Sequence, residues 1–505
     1  MRLSDLSDLI GPVDPAADPP ANPPANPIVT GVAHDSRAVE PGDLFVVRVG
    51  QRFDGRAFAP AAVERGAVAI VGPLPEGGAP SGPGTVPWIP AADPVALLGP
   101  LAARVYGQPD RELRMVGVTG TNGKSTVATL TTAILEAAGV PAGFLGTLGY
   151  RFRDQVFPGG HTTPEASDLY RTLRRMRAAG AEAVAMEVSS HALSLGRVAG
   201  AAFDVAVFTN LTRDHLDFHP DMEDYFAAKR RLFTEHLKPG GRAVVNVDDP
   251  YGRRLAGEIP DEIKPALTFG EAGDVRARSV QLTPSGTRGI LVTPRGELEI
   301  STPLLGRYNL SNLLAAAAAA EALGLPHAAI AAALAAQRPV PGRLEPVDRG
   351  QPFPVFVDYA HTDAALDAAL RSVREMEGTD RLAVVFGCGG DRDAGKRPLM
   401  GRIAGELADL PIITSDNPRS EDPLAILAAV EEGLKSSGNR SYRLVPDRRE
   451  AIRQALAAAG PGWAVLIAGK GHEEYQIIGD RKIPFSDLAE IGQALEERFG
   501  SSIRG

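Results

Sequence analysis

The sequence predicts an α/β fold with three domains, of which the central and C-terminal domains each contain a mostly parallel sheet. The chain has 505 residues, and at roughly 150 residues per domain three domains are expected. From residue 113 onward, short apolar segments alternate with helical patterns, which favours parallel strands joined by helices. A Pro-Val-Pro-Gly segment at 339–342 predicts a boundary. We expect the domains to span 1–105, 106–340 and 341–505.

The composition indicates a cytoplasmic protein that acts on small molecules. Hydrophobic residues make up 44% of the chain, charged residues 23%, and the net charge is −9, so the bulk charge repels nucleic acid. Cys388 is the single cysteine, which excludes an intrachain disulfide and favours a reducing compartment. Residues 1–6 lack a signal-peptide core, and no long uncharged apolar run occurs. We therefore expect no membrane or nucleic-acid partner, and a monomer.

The N-terminal domain is predicted to be a small α/β unit. Residues 11–28 are rich in proline, which forbids regular structure and predicts a surface loop. Apolar segments within 28–32 and 41–47 predict strands, and 61–71 predicts a helix followed by a strand. A helix over 95–103 is expected to lead into the next domain.

A glycine-rich turn between a predicted strand and a predicted helix dominates the central domain. The apolar segment 113–118 leads into Gly120-Thr121-Asn122-Gly123-Lys124-Ser125-Thr126, and a helical pattern follows. This order is typical of a P-loop, in which backbone N–H groups and the lysine bind phosphate and the serine holds Mg²⁺. The strict pattern has glycine where Val118 stands. A chance Gly-Lys-Ser turn therefore stays open as the alternative.

Polar side chains end further predicted strands of the central domain, within 183–191, 203–210 and 242–248. Ligands bind at the carboxyl ends of strands in open α/β sheets, and Mg²⁺ takes hard oxygen ligands. Glu187 ends the first of these strands and is a candidate ligand, although a capping or surface carboxylate is an alternative. His215 lies between Asp214 and Asp217, which can fix its tautomer or simply hold a loop imidazole.

The C-terminal domain is predicted to carry a second, Rossmann-like sheet whose loops hold the polar residues. Before it, 278–303 predicts a β-hairpin and 309–335 predicts alanine-rich helices. Four units of strand followed by polar loop come after the boundary. Their strands are expected within 355–357, 383–386, 412–414 and 464–467.

Opposite charges in these loops suit a zwitterionic amino acid. Arg392 and Arg419 are each able to bind a carboxylate through two hydrogen bonds, and Glu473 and Asp416 are candidates for an ammonium group. Salt bridges between the loops are the alternative. Cys388, beside glycines and without a base nearby in sequence, predicts a small buried thiol.

These motifs together resemble the Mur ligase family, the ATP-dependent amide-bond-forming enzymes of peptidoglycan precursor synthesis. The resemblance extends from His34 to Asp487 and includes the shortened P-loop. The other segments that carry it are 186–191, 210–217, 358–362, 387–400, 416–419 and 469–473. It implies an N-terminal domain that binds the UDP end of the substrate, a central P-loop ATPase domain and a C-terminal amino-acid-binding domain.

The C-terminal segments imply that ATP drives addition of meso-diaminopimelate to UDP-N-acetylmuramoyl-L-alanyl-D-glutamate through an acyl phosphate. The resemblance assigns catalysis to Lys124, Lys229 and His215. It implies that Lys229 is a carbamate, which supplies oxygen ligands where an ammonium would repel Mg²⁺. Taken alone, Lys229 beside two arginines on an amphipathic helix is typical of a solvated face. The implied metal-binding residues are Ser125, Glu187, His215 and Lys229.

The resemblance also implies the residues that contact each substrate. For ATP they are Gly120, Thr121, Asn122, Gly123, Lys124, Ser125, Thr126, Asn309, Arg343, Asp358 and His361. For the UDP-muramoyl dipeptide they are His34, Ser36, Gln51, Thr162, Thr163, Ser189 and Arg197. For diaminopimelate they are Arg392, Asp416, Asn417, Pro418, Arg419, Gly469 and Glu473. The chain departs from a frequent family pattern at His161 and Leu195.

Three other functions remain as alternatives. A lysine-adding Mur ligase or a folylpolyglutamate synthase is a related amino-acid ligase, and a P-loop switch that signals to a partner would not be an enzyme. The segment His34-Asp35-Ser36-Arg37 argues against the folylpolyglutamate enzymes. Turnover of ATP that requires both an amino acid and a UDP-sugar peptide excludes a switch.

Overall fold

The computed structural model describes residues 1–11, 26–48, 54–78, 85–263, 265–283, 285–376 and 379–499. The α/β class predicted from the sequence is confirmed, with helices packed around parallel strands. Most of the predicted proline-rich loop at 11–28 lies outside the described residues. Within the described ranges, no helix combines the length and the apolar character needed to cross a membrane.

The N-terminal part contains a parallel four-stranded sheet whose strands lie in chain order. The first three strands are buried along their whole length, as expected for parallel strands covered by helices. Its strands are β1 (Gly31–Ala33), β2 (Asp43–Val46), β3 (Ala69–Gly72) and β4 (Trp88–Pro90). Its helices are α1 (Ser7–Ile10), α2 (Ala59–Glu64) and α3 (Pro94–Val105). The predicted helix over 95–103 is thus confirmed as α3.

The central part contains an eight-stranded sheet. Its strands are β5 (Arg114–Thr119), β6 (Ala142–Gly146), β7 (Gly149–Phe152), β8 (Gln155–Phe157), β9 (Ala183–Glu187), β10 (Phe203–Phe208), β11 (Leu237–Asn246) and β12 (Leu267–Phe269). Its helices are α4 (Pro109–Glu112), α5 (Lys124–Ala137), α6 (Ala166–Ala178), α7 (Ser190–Ser194), α8 (Met222–Thr234) and α9 (Pro250–Glu258). The strand order is β12-β11-β10-β5-β9-β6-β7-β8, and only β7 runs antiparallel to its neighbours. The strand before the glycine-rich turn, β5, therefore lies between the two strands whose ends carry the predicted polar residues.

The segment after this sheet differs from the sequence prediction. A hairpin was expected over 278–303, whereas the structure has a three-stranded antiparallel sheet of β13 (Arg276–Thr283), β14 (Gly286–Thr293) and β15 (Gly296–Thr302). The third strand forms because β15 pairs with β14 along its whole length after a tight turn. The alanine-rich helices follow as α10 (Arg307–Ala322) and α11 (His327–Ala336). Both pack on α5, and small side chains allow this close approach.

The C-terminal part contains a six-stranded sheet, and the four predicted strands are confirmed. Its strands are β16 (Glu345–Pro346), β17 (Val355–Asp358), β18 (Arg381–Phe386), β19 (Leu410–Ile413), β20 (Arg443–Leu444) and β21 (Trp463–Ala468). Its helices are α12 (Asp363–Arg374), α13 (Lys396–Leu407), α14 (Pro423–Ser436), α15 (Arg448–Ala458) and α16 (Asp487–Phe499), and a hairpin of β22 (Tyr475–Ile478) and β23 (Arg481–Pro484) stands beside it. The order is β16-β17-β21-β18-β19-β20, with only β16 antiparallel.

Candidate active site

The glycine-rich turn has the backbone geometry of a phosphate-binding loop. Gly123 adopts a φ of 90° immediately before α5, and a Cβ there would lie 2.3 Å from Asn312 Oδ1, so glycine is required. Lys124 folds back over the turn and donates hydrogen bonds from Nζ to the carbonyls of Gly120 and Thr121, both at 2.9 Å. The helix N-terminus and this lysine place positive potential at one point.

Glu187 and Ser125 line a cavity of about 390 Å³ beside this turn, together with His215. Glu187 is only 1% exposed, so the surface alternative for this carboxylate is wrong. Its Oε1 accepts a hydrogen bond from the Thr147 N–H at 2.8 Å, and its Oε2 accepts one from Thr147 Oγ1 at 3.2 Å. Since these contacts leave further lone pairs free, the carboxylate retains the capacity to bind a cation.

His215 is held by one of its two neighbouring aspartates. Its Nε2 lies 3.4 Å from Asp214 Oδ2, and its backbone adopts a φ of 56°. Burial lowers the pKa of His215 to about 3, so the imidazole is neutral near pH 7. Asp214 also faces His361 at 3.8 Å and Lys396 at 3.9 Å, both from the C-terminal part.

Lys229 is buried beneath the glycine-rich turn, so the solvated-face alternative is wrong. It is 1% exposed, and its Nζ donates a hydrogen bond to the Gly120 carbonyl at 2.8 Å. The Tyr225 ring centroid lies 4.6 Å from the same nitrogen. Burial, with a contribution from the neighbouring Lys124 ammonium, lowers the pKa of Lys229 well below its ordinary value. Lys229 lies on the buried face of α8, and the helical pattern of the sequence alone did not predict this burial.

A magnesium nucleotide fits this arrangement because Ser125 and Glu187 place oxygen atoms beside the lysine of the turn. Magnesium bound with a nucleotide takes few protein ligands, since phosphates and water complete its shell. Among the residues that the structure describes, no group of three or more His, Cys, Asp or Glu side chains is arranged to hold a metal ion.

A second cavity, of about 240 Å³, lies between the glycine-rich turn and the C-terminal part. Asp358 lines it and accepts hydrogen bonds from Tyr308 Oη at 2.7 Å and the Leu344 N–H at 2.6 Å. Asn309 does not line this cavity. Its Nδ2 donates to the Leu305 carbonyl at 2.9 Å, and its Oδ1 accepts from Asn312 Nδ2 at 3.2 Å. Asn309 therefore supports Asn312, which does line the cavity, and its contact with ATP stays a prediction.

Arg343 joins the C-terminal part to the glycine-rich turn. Its Nη2 donates a hydrogen bond to Ser125 Oγ at 3.3 Å, and its guanidinium lies 4.6 Å from the Tyr359 ring centroid. His361 lines the same cavity as Ser125. The predicted ATP residues on both sides of the boundary are thus brought together.

The third and largest cavity, of about 750 Å³, collects the residues predicted for the amino acid. Arg392, Asp416, Asn417, Arg419, Gly469 and Glu473 all line it. Arg419 adopts a φ of 52° and donates from Nη1 to the Gly390 carbonyl at 2.6 Å. Pro418 is an exception. It does not line the cavity, and its carbonyl would lie 1.9 Å from a Cβ on Gly390, so Pro418 packs closely on the neighbouring loop.

The residues predicted for the UDP-muramoyl dipeptide are only partly brought together. Thr162, Thr163, Ser189 and Arg197 line the cavity that contains Glu187. His34 lies away from the three cavities, with Nδ1 2.8 Å from Ser167 Oγ on α6, and Ser36 is buried at the start of a short turn. Gln51 lies outside the described residues.

Several residues at the site were not predicted from the sequence, and Tyr359 and Lys470 are two of them. Tyr359 lines all three cavities, and Lys470 is completely buried below the largest one. Both stand inside segments that carried the resemblance, which is the signal that would have drawn attention to them. Cys388 is buried as predicted, and burial raises its pKa to about 12.

Comparison with known proteins accounts for all three parts of the chain. The Mur ligase middle domain matches residues 118–320. The glutamate ligase domain of Mur ligases matches 342–471, and the Mur ligase family catalytic domain matches 28–106. The chain belongs to the Mur ligase family.

Relatives of this Mur ligase cover almost its full length. UDP-N-acetylmuramoyl-L-alanyl-D-glutamate–2,6-diaminopimelate ligase from Geobacter metallireducens is 46% identical over 98% of this chain and 99% of its own. A solved structure of an enzyme with that name has a TM-score of 0.66 and 34% identity, and covers 98% of this chain and 99% of its own. A MurF ligase from Thermotoga maritima, solved in complex with ADP, shares the fold at 18% identity and a TM-score of 0.65, covering 94% of this chain and 99% of its own.

Proposed function

We propose that this Mur ligase adds meso-diaminopimelate to UDP-N-acetylmuramoyl-L-alanyl-D-glutamate and converts ATP to ADP and phosphate. The observation that carries the proposal is the junction of two cavities. The cavity beside the glycine-rich turn and the cavity lined by Arg392, Asp416, Arg419 and Glu473 share Asp214, His215, Tyr359, His361 and Arg392. An activated carboxyl group and an incoming amine can therefore meet there. The names of the relatives support the same substrates.

The first step activates the D-glutamyl side chain. A carboxylate oxygen forms a bond to the γ-phosphorus of ATP as the bond to the ADP oxygen breaks, which yields an acyl phosphate. Lys124 and Arg343 flank the site at Ser125 and stabilise the charge on the transferred group. Magnesium held by Ser125, Glu187 and His215 would neutralise phosphate charge.

The second step forms the amide bond. The neutral amine of diaminopimelate attacks the acyl carbon, and the tetrahedral intermediate loses phosphate and a proton. The guanidinium groups of Arg419 and Arg392 line the cavity and bind the carboxylates of the amino acid. The carboxylates of Glu473 and Asp416 line the same cavity and bind an ammonium group of the amino acid. Since little covalent work falls to side chains, placement of the two reactants supplies most of the rate.

We also propose that Lys229 carries a carbamate that completes the metal site. Support comes from its burial directly below the Gly120 carbonyl, beside a second lysine. A carbamate would replace one of two adjacent positive charges with a negative one. We further propose that the three domains span 1–105, 106–340 and 341–505. The proposal also includes a cytoplasmic location and a monomeric state.

The test is a reconstituted reaction with magnesium, ATP, the UDP-muramoyl dipeptide and either diaminopimelate or lysine. We expect the UDP-muramoyl tripeptide, identified by mass, and equal amounts of ADP only with diaminopimelate. Equal product with lysine supports the lysine-adding alternative, and product from a folate with glutamate supports the folylpolyglutamate alternative. Hydrolysis of ATP that needs neither acceptor nor amino acid supports a switch.

A further inference from the structure

The ammonium of Lys470 lies at the centre of the wall of the largest cavity, without reaching its surface. Lys470 is 0% exposed. Its Nζ lies 2.7 Å from the Tyr475 carbonyl, 3.0 Å from Asn417 Oδ1, 3.1 Å from Asp416 Oδ1 and 3.5 Å from Glu473 Oε2. Four oxygen atoms from two backbone segments, 416–417 and 473–475, therefore surround one cation.

These contacts fix the orientation of the Asn417 side chain. Asn417 Oδ1 accepts hydrogen bonds from Lys470 Nζ and from the Ile477 N–H, each at 3.0 Å. Its Nδ2 donates to Glu473 Oε2 at 3.0 Å. Because both donors face the amide oxygen, the amide nitrogen must face the carboxylate. Lys470, together with the Ile477 N–H, thus orients the Asn417 amide so that its donor faces Glu473, and Lys470 also contacts the Glu473 carboxylate itself.

Lys470 also sets the charge of this part of the cavity. Asp416 and Glu473 both line the cavity and would together carry two negative charges. With the Lys470 ammonium, the net charge of these three groups is minus one. One ammonium group of the substrate neutralises this charge. A second cation that acts on Asp416, Arg448, is 0% exposed on its side chain and already forms two hydrogen bonds with Asp487, at 2.8 and 2.7 Å.

The titration of the two carboxyls agrees with this charge balance. Although burial opposes it, the Lys470 and Arg448 cations hold the pKa of Asp416 below its ordinary value. Burial, followed by the adjacent Asp416 carboxylate, raises the pKa of Glu473. Removal of the ammonium would leave two buried carboxylates in mutual repulsion.

We propose that Lys470 is a positioning residue that makes the amino-acid cavity selective for a substrate with one ammonium group at this point. It acts through Asn417 and Glu473 and does not touch the substrate. The proposal rests on the proposed function, since it takes diaminopimelate as the amino acid that enters this cavity.

The test compares Lys470→Met with the unmodified protein. We expect the KM for diaminopimelate to rise about 100-fold, because a buried charge pair loses one partner. The KM for ATP is expected to change less than about twofold, since Lys470 does not reach the phosphate site. Lys435→Met is the matched control, because its ammonium pairs with Glu431 at 2.8 Å on the surface and its loss leaves all constants unchanged.

A second variant keeps the proposal testable if Lys470→Met does not fold. Asp416→Asn combined with Lys470→Met removes one charge of each sign, and Asp416→Asn alone is its reference. Calorimetric titration then measures binding of diaminopimelate without turnover. Since loss of the ammonium by itself favours an incoming ammonium group, weaker binding than the reference, with ATP binding retained, reports lost placement of Asn417 and Glu473 and supports the proposal. Equal or tighter binding, or a change in melting temperature alone, overturns it. If the unmodified chain neither binds nor consumes diaminopimelate, the proposed function fails first and the inference falls with it.

Discussion

Individual charged side chains in the cavity wall, such as Arg419, are only partly exposed to solvent and can bind oppositely charged groups of a substrate. Arg419 is half-buried in the cavity wall, and only one of its nitrogen atoms is engaged by a backbone carbonyl. The rest of the guanidinium faces the cavity and can form a paired hydrogen bond with a carboxylate. Diaminopimelate differs from lysine by one such carboxylate at the distal carbon. We therefore expect the preference between the two amino acids to depend on Arg419.

The first prediction concerns this preference. Arg419→Met is expected to reduce the ratio of kcat/KM for diaminopimelate over lysine about 100-fold, since a site built to bind a charged group rejects the analogue that lacks it. Phosphate release with each amino acid measures the ratio. Arg402→Met is the control, because Arg402 is about half exposed on α13. An unchanged ratio in Arg419→Met would assign the selectivity to another residue.

The second prediction concerns the carbamate on Lys229. The protein in ¹³C-bicarbonate is expected to give a carbamate carbon resonance by NMR, which Lys229→Met removes. Turnover by that variant is expected to fall at least about 1,000-fold, since a buried charged group at the phosphate site is lost. Lys238→Met is the matched control, because Lys238 pairs with Asp204 at 2.8 Å away from the turn. A resonance that persists in Lys229→Met would place the carbamate elsewhere.

At the scale of elements, short loops between strands and helices bring the three cavities together. Gly342 adopts a φ of 65°, and a Cβ there would lie 2.3 Å from the His472 N atom and 2.5 Å from the Gly471 carbonyl carbon. The boundary loop thus packs directly on the loop that carries Glu473. Any rotation of the C-terminal part about this loop moves the amino-acid cavity with it.

The third prediction follows from this contact. Gly342→Ala is expected to lower kcat/KM for both ATP and diaminopimelate at least about tenfold, because the added methyl group and the left-handed backbone both disfavour the closed packing. Gly438→Ala is the control. It has a φ of 83° but open space around a Cβ, so it shares the backbone strain and lacks the clash. Equal effects of the two substitutions on kcat/KM would show that strain alone is responsible.

At the scale of the whole molecule, contacts across the boundary hold the C-terminal part against the central part. Arg213 binds Asp393 through two hydrogen bonds, at 3.0 and 3.1 Å. Arg343 reaches Ser125, and His361 and Lys396 face Asp214. Since the ligands of one reaction are divided between two parts of the chain, closure is expected to accompany substrate binding.

The fourth prediction is that the radius of gyration from X-ray scattering decreases when a non-hydrolysable ATP analogue and diaminopimelate are added together. Asp393→Asn weakens the contact between residue 393 and Arg213. The variant is therefore expected to need higher ligand concentrations for the same decrease in the radius of gyration. Arg402→Met again serves as the control, because Arg402 lies outside the contact surface. An unchanged radius of gyration in the unmodified protein would contradict closure.

The sequence by itself determined the α/β class and the glycine-rich turn, and it indicated Glu187 and His215 as polar residues near strand ends; further lining residues, such as Ser189 and Arg197, were implied only by the family resemblance. These features depend on local patterns, namely strand and helix periodicity and the glycines and charges that follow each strand. It also indicated that Glu473 and Arg419 are charged partners for an amino acid. It misjudged the β13–β15 sheet as a hairpin, because the pairing of a third strand is not visible in a local pattern.

Only the tertiary structure decided which side chains are buried and which of them meet. From the sequence, Lys229 is expected on the surface, but α8 packs below the turn and buries it. Lys470 is expected in an exposed loop, but the loops after β19 and β21 enclose it. Asn309 and Pro418 lie in the predicted segments but do not line the three cavities. Burial and contact between distant segments depend on how whole elements pack, and that packing sets the charge, and therefore the chemistry, of the site.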